Sequence, residues 1–210
     1  MRITVEHSTV YRYGSAVHLD PHTFRLRPRM SSTQWLLSFE MHIEPTPSGT
    51  TECLDQDGNL ALYTWFEGLT WELSVRSRFC VQLYRENPFD FFITGSSLQL
   101  PLWYSSAMSE ALAPYRRDAH VAETVKQFAA TLAGGAQWNL LSFLIALNRQ
   151  IFQTFRPITR LEGPPWTSDL TLSRMEGSCR DLAVLFCDAC RAMGIAARFV
   201  SGYECAASRG

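Results

Sequence analysis

Odd and even positions separate over the first part of the chain. Ile3, Val5, His7, Thr9, Tyr11 and Tyr13 alternate with mostly polar neighbours, and Trp35, Leu37, Phe39, Met41 and Ile43 repeat the pattern. Trp71, Leu73, Val75, Phe79, Val81 and Leu83 all fall on odd numbers, with Glu72, Arg76, Arg78 and Gln82 between them. A period of two in aromatic and β-branched residues predicts strands with one buried face. Asp57-Gly58-Asn59 predicts a tight turn between two strands, and Pro45-Thr46-Pro47-Ser48-Gly49 a loop. Residues 1–85 therefore read as an antiparallel sandwich or curled sheet. The alternating Arg25, Arg27 and Arg29 read as the solvated face of a strand.

The period then changes. Residues 86–104 are aromatic, broken by Pro88, Gly95 and Pro101, and read as a connector. Residues 119–133 and 138–155 read as helices. In the second, Leu140, Leu141, Leu144, Ile145, Leu147, Ile151, Phe152 and Phe155 form a broad apolar face. Gly134-Gly135 separates the two, and Pro157 closes the second. Residues 161–172 exclude regular helix or strand through Pro164-Pro165. A third helix is predicted from about Cys179 to just before Gly194, with Leu182, Ala183, Phe186 and Cys187 anchoring it. A strand is predicted over Ile195–Tyr203.

Composition narrows the function classes. The 210 residues are 46% hydrophobic and 19% charged, with a net charge of -1. That is a folded composition, long enough to bury a core without staples. A near-neutral chain gives no reason to expect nucleic acid or an anionic membrane surface as a partner. The N-terminus lacks the apolar run of a signal peptide, and the apolar stretch at residues 140–147 is too short to span a bilayer. A cytoplasmic location is expected. The six cysteines show no compact disulfide framework, so thiols are expected.

Candidate chemistry concentrates in Gly177-Ser178-Cys179-Arg180-Asp181-Leu182-Ala183. Ser178 is a good N-cap, whose hydroxyl can accept from the Asp181 N–H, and Asp181 stands where the acid of a capping box belongs. Cys179 is then the first helical residue. Its sulfur lies at the positive helix end, where a thiol pKa falls, and the first-turn N–H groups can face a developing oxyanion. Gly177 leaves room for a substrate or a close backbone approach. Arg180 offers a carboxylate-binding group or a salt bridge. Trp166 lines a cleft or packs under its Pro-Pro loop. Cys187-x-x-Cys190 has redox or zinc spacing but falls mid-helix, where a reactive pair does not belong. With only Cys205 following, zinc lacks ligands. No metal and no cofactor are expected.

GSCRDLA, with Cys190-Arg191-Ala192-Met193-Gly194-Ile195-Ala196-Ala197-Arg198-Phe199-Val200-Ser201-Gly202-Tyr203, resembles the bacterial transglutaminase-like superfamily, which shares the papain-like thiol fold. The approach segment Glu162–Thr167 and Thr171-Leu172 fits as well. Ile3 to Arg29, through Tyr11-Arg12-Tyr13 and Leu26-Arg27-Pro28-Arg29, resembles the β-rich domain that precedes this core in bacteria. The resemblance implies an α+β fold: an N-terminal antiparallel β-sandwich-like domain (1–85), the connector, then the helical front half of a papain-like transglutaminase core (105–210).

It also implies a Cys-His-Asp triad with Cys179 as nucleophile, its His and Asp on later strands. His7, His18, His22, His42 and His120 all precede Cys179, so none matches the family base. The expectation is a C-terminally truncated fragment of a cysteine acyl-transfer enzyme, acting on protein or peptide amides and inactive alone. Its rivals are a non-catalytic binding protein on the same fold and a redox module using Cys187 and Cys190.

Overall fold

The computed structural model describes residues 1–85, 87 and 98–203, in two compact units, Met1–Ile93 and Thr94–Gly210. The first unit holds β1 (Arg2–Val17), β2 (His22–Phe24), β3 (Gln34–Glu44), β4 (Gly49–Leu54), β5 (Leu60–Trp65) and β6 (Thr70–Leu83). They form two three-stranded antiparallel sheets, β1-β6-β3 and β2-β5-β4.

The central strand β6 buries Leu73, Val75, Phe79 and Val81, as its period of two requires. Tyr11, Thr9, Val5 and Ile3 of β1 lie opposite these four. On β3 the alternation breaks. Ile43 and Phe39 face Val75 and Phe79, but Leu36, not an odd-numbered residue, faces Val81. A bulge between Leu36 and Ser38 causes this, because one extra residue reverses the facing of everything beyond it. Trp35 and Leu37, expected inside, are 52% and 44% exposed. Trp71, at the irregular end of the β1–β6 ladder, is exposed too.

The Asp57-Gly58-Asn59 turn forms as expected, with Gly58 at φ 76° and its N–H donating to Asp55 O at 2.9 Å. The arginine comb differs from its reading as a strand face. It follows the end of β2 and reaches the β4–β5 hairpin. Arg25 Nε donates to Asp55 Oδ2 at 2.8 Å, Arg27 lies 3.8 Å from Glu52, and Arg29 donates to Asp57 O at 2.9 Å. Side-chain pairing across the loop, rather than a ladder, accounts for the alternation.

The second unit holds α1 (Ser106–Ala111), a 3-10 turn (Ala113–Tyr115), α2 (Glu123–Gly135), α3 (Leu140–Thr154), β7 (Arg156–Pro157), α4 (Ser168–Arg174), β8 (Glu176–Gly177) and α5 (Cys179–Ala192). Val125, Ala129 and Ala133 of α2, Phe143, Leu147 and Ile151 of α3, and Leu185, Ala189 and Cys190 of α5 make its core. Each set recurs at helical spacing. A fully buried leucine or phenylalanine contributes roughly 1.5–3 kcal/mol here.

Three expectations change in this unit. Gly134 and Gly135 belong to α2, and the reversal comes after them, with Gln137 at φ 53° and Trp138 at φ 57°. Ser168–Arg174 is helical, because Pro164-Pro165 stops short of it and leaves α4 free to start. The strand expected over Ile195–Tyr203 does not form. Its first three backbone donors are used elsewhere: Ile195 N–H by Cys190 O, Ala196 N–H by the Tyr104 hydroxyl and Ala197 N–H by Tyr115 O, each at 3.0 Å. Among the described residues no strand runs beside it, and a strand needs a ladder partner. Of the connector, 86 and 88–97 lie outside the described residues, as does Cys205.

Candidate active site

The path into α5 is short and tightly held. Met175 ends α4 in the left-handed region at φ 51°. Glu176 and Gly177 then pair in parallel with Arg156 and Pro157, and the Ile158 N–H donates to Gly177 O at 3.0 Å. Arg156 also pairs with Glu176 through its side chain. Ser178 follows as N-cap, and Cys179 opens the helix.

Helix phase decides which way each side chain points. Asp181, Leu185 and Ala189 are buried at i, i+4 and i+8. This stripe lies slightly off the expected one: Leu182 and Phe186 only flank it, and Cys187 is half-buried. Cys179 stands two residues before Asp181, about 200° around the helix. Asp181 therefore faces inward and the Cys179 thiol is exposed.

A carboxylate with no exposed surface must be satisfied from within the protein. Asp181 Oδ2 accepts from the Ser178 N–H at 2.8 Å and from the Ser178 hydroxyl at 2.6 Å. The hydroxyl thus gives its proton to the acid, in addition to facing the Asp181 N–H as the capping box expects. Asp181 Oδ1 accepts from Arg160 Nη1 at 2.7 Å and from the Trp166 N–H at 2.8 Å. Burial is the largest single influence on Asp181 and pushes its pKa up. The bonds from Ser178, Trp166 and Arg160 together outweigh it and hold the carboxyl well below its usual range.

Every residue singled out from the sequence except the outward Cys179 side chain has a structural occupation here. A Cβ on Gly177 would stand 2.9 Å from Asp181 Cβ and 3.3 Å from Thr171 Cγ2, so the glycine makes room for the buried acid. Arg180 donates to Arg160 O at 3.3 Å and Glu162 O at 3.0 Å, which ties it to the preceding loop. Trp166 is half-buried, with the Arg160 and Arg174 guanidinium groups over its ring at 4.4 and 4.6 Å. Arg160 and Arg174 were not singled out from the sequence. The available signal was Asp181 itself, since an inward acid requires a cation.

Cys187 and Cys190 are free thiols with pKa values raised chiefly by burial, Cys190 to about 12. Those are packed helix residues, not a reactive pair. Among the described residues, no cluster of three or more His, Cys, Asp or Glu is placed to hold a metal. No described helix is long and apolar enough to cross a membrane.

Residues 3–82 match the bacterial transglutaminase-like N-terminal region, and residues 126–209 match the transglutaminase-like superfamily core. Both halves of the chain are thus similar to transglutaminase-like proteins. The chain is also 26% identical over 211 residues to the uncharacterized protein Rv2569c of Mycobacterium tuberculosis and, at the same identity, to Mb2599c of Mycobacterium bovis. In each case the match covers 96% of this chain and 65% of the relative, so this transglutaminase-like chain spans about two-thirds of their length. A crystal structure of a "putative cysteine protease" from Cytophaga hutchinsonii superposes with a TM-score of 0.63 at 17% identity, over 92% of this chain and 64% of that one. The shared fold is α+β, with antiparallel sheets followed by the helices of a transglutaminase-like core.

Proposed function

We propose that this chain carries the nucleophile of a cysteine acyl-transfer enzyme. The Cys179 thiolate attacks an amide carbonyl. A sulfur–carbon bond forms, the carbon–nitrogen bond breaks, and the proton that a general base took from the thiol passes to the leaving amine. Water or a second amine then resolves the thioester, so the reading covers hydrolysis and transamidation alike. Protein or peptide amides are the proposed substrates, in keeping with the name of the structural neighbour. The observation that carries the reading is the exposed thiol on the first residue of a helix docked rigidly in a transglutaminase-like core. First-turn N–H groups, including that of Cys179, are proposed to receive the developing oxyanion. The free thiols throughout the described residues support a cytoplasmic setting.

One observation favours the rival reading, a non-catalytic binding protein. The only histidine in the Cys179 unit is His120, exposed and ahead of α2. The resemblance puts the family base after the nucleophile, so we propose that none of the five histidines here is the base and that the chain alone is inactive in acyl transfer. Alkylation rates separate the readings. Cys53 is also exposed and serves as reference, whereas Cys187 and Cys190 are too buried for a fair comparison. With iodoacetamide below the ordinary thiol range of about 8.5, Cys179 is expected to outpace Cys53 by tenfold or so. Equal rates would favour the binding protein.

A further inference from the structure

Asp181 does more than a capping acid needs to do. A capping box uses the acid to satisfy the N-cap N–H, and Oδ2 does this. Such an acid can remain in water. Here the helix phase set by Leu185 and Ala189 turns it inward, with no exposed surface. Oδ1 then reaches Arg160 and the Trp166 N–H, 21 and 15 residues earlier in the chain. Arg160 in turn donates to Pro164 O at 3.2 Å and lies over the Trp166 ring. Arg180 reinforces the Arg160 end of the same loop, through the carbonyls of Arg160 and Glu162. Cys179 stands between the two residues, Ser178 and Asp181, on which these bonds converge. Gly177 completes the arrangement, because any side chain there meets Asp181 Cβ.

We propose that Asp181 is the positioning residue of the candidate nucleophile: its buried carboxylate locks the Arg160–Trp166 loop to the first turn of α5 and so sets the surroundings in which the Cys179 thiol ionises and meets an acyl group. This rests on the Cys179 reading above. The charged groups of the cluster are Asp181, Arg160, Arg180 and, over Trp166, Arg174. Removing the carboxylate leaves Arg160 without its anion and releases the loop from the first turn of α5. Removing the guanidinium leaves a buried carboxylate without its cation.

The test is the pH profile of Cys179 alkylation by iodoacetamide, read by peptide mass spectrometry on the whole chain, with Cys53 as internal reference. In Asp181→Asn and in Arg160→Gln the Cys179 alkylation rate relative to Cys53 is expected to change several-fold across the profile. Arg160→Lys, which keeps the cation, is expected to retain the wild-type rate, and Cys53 to stay put throughout. Cooperative melting of each variant shows that the fold survives. If D181N does not fold, the Arg160→Gln and Arg160→Lys pair decides alone. Folded variants with an unmoved Cys179 profile would overturn the proposal and leave Asp181 as a helix cap. A wild-type Cys179 no faster than Cys53 would instead sink the nucleophile reading, and the positioning role with it. The two failures are thus distinguishable.

Discussion

In each unit of the molecule an arginine–aspartate pair organises a loop, Arg25–Asp55 in the first and Arg160–Asp181 in the second, and the two pairs work differently. In the first unit, the half-exposed Arg25 places Nε 2.8 Å from a partly covered Asp55, which also accepts from the Asn59 N–H at 2.8 Å and the Asp57 N–H at 3.0 Å. In the second, Arg160 Nη1 lies 2.7 Å from an Asp181 with no exposed surface. Both carboxyls are held well below their usual range, Asp55 first by the Arg25 bond and Asp181 by bonds that overcome burial. The pair distances are nearly equal, so distance does not distinguish them. What differs is what water can do when the partner is removed. At Asp55, with 13% of its side chain and half of Arg25 exposed, water can reach the lost contact. At Asp181 it cannot, and every bond becomes obligatory.

Breaking both pairs gives the largest contrast. Arg160→Ala leaves a buried carboxylate without its cation and is expected to cost about 3–5 kcal/mol in urea unfolding. Arg25→Ala at the solvated pair is expected to leave the urea midpoint close to wild type. Similar losses in the two variants would refute the distinction. Gly177→Ala comes next. The added methyl meets Asp181 Cβ, and overpacking of this kind costs about 1–3 kcal/mol. A neutral outcome would mean that Asp181 can shift without loss.

The smallest effect concerns acid. A carboxyl with a lowered native pKa contributes stability that is full above its unfolded value of about 3.9 and is lost as pH falls below it. Wild-type stability should therefore decline from about pH 4 downward. Asp181→Asn should show a shallower decline over that range, though from a lower starting stability. An unchanged acid slope would assign the decline to Asp55 and the other carboxyls.

The strands of the first unit were legible because alternation is a local signal, and it failed where the bulge at Leu36/Ser38 inserted a residue that no periodicity announces. The long helices were legible for the same reason, to within a few residues at their ends. Helix α4 was hidden by the Pro-Pro dipeptide ahead of it. Ile195–Tyr203 has strand-forming residues but no neighbour to pair with among the described residues, and a strand is a property of pairs. At the site, the cap, the helix start and the place of Cys179 on the first turn were readable. The use of Arg160, Trp166 and Gly177 was not.

The residues of GSCRDLA by themselves determined a capped helix opening on a cysteine, because an N-cap serine and an acid three positions on act within one turn of backbone. The tertiary structure decided the rest. Packing of Leu185 and Ala189 against the core set the rotation of α5, and that rotation sent Asp181 inward and Cys179 out. Once inside, the carboxylate needed donors that its own turn could not fully supply. Only folding could bring Arg160 and the Trp166 N–H to within 2.8 Å of it.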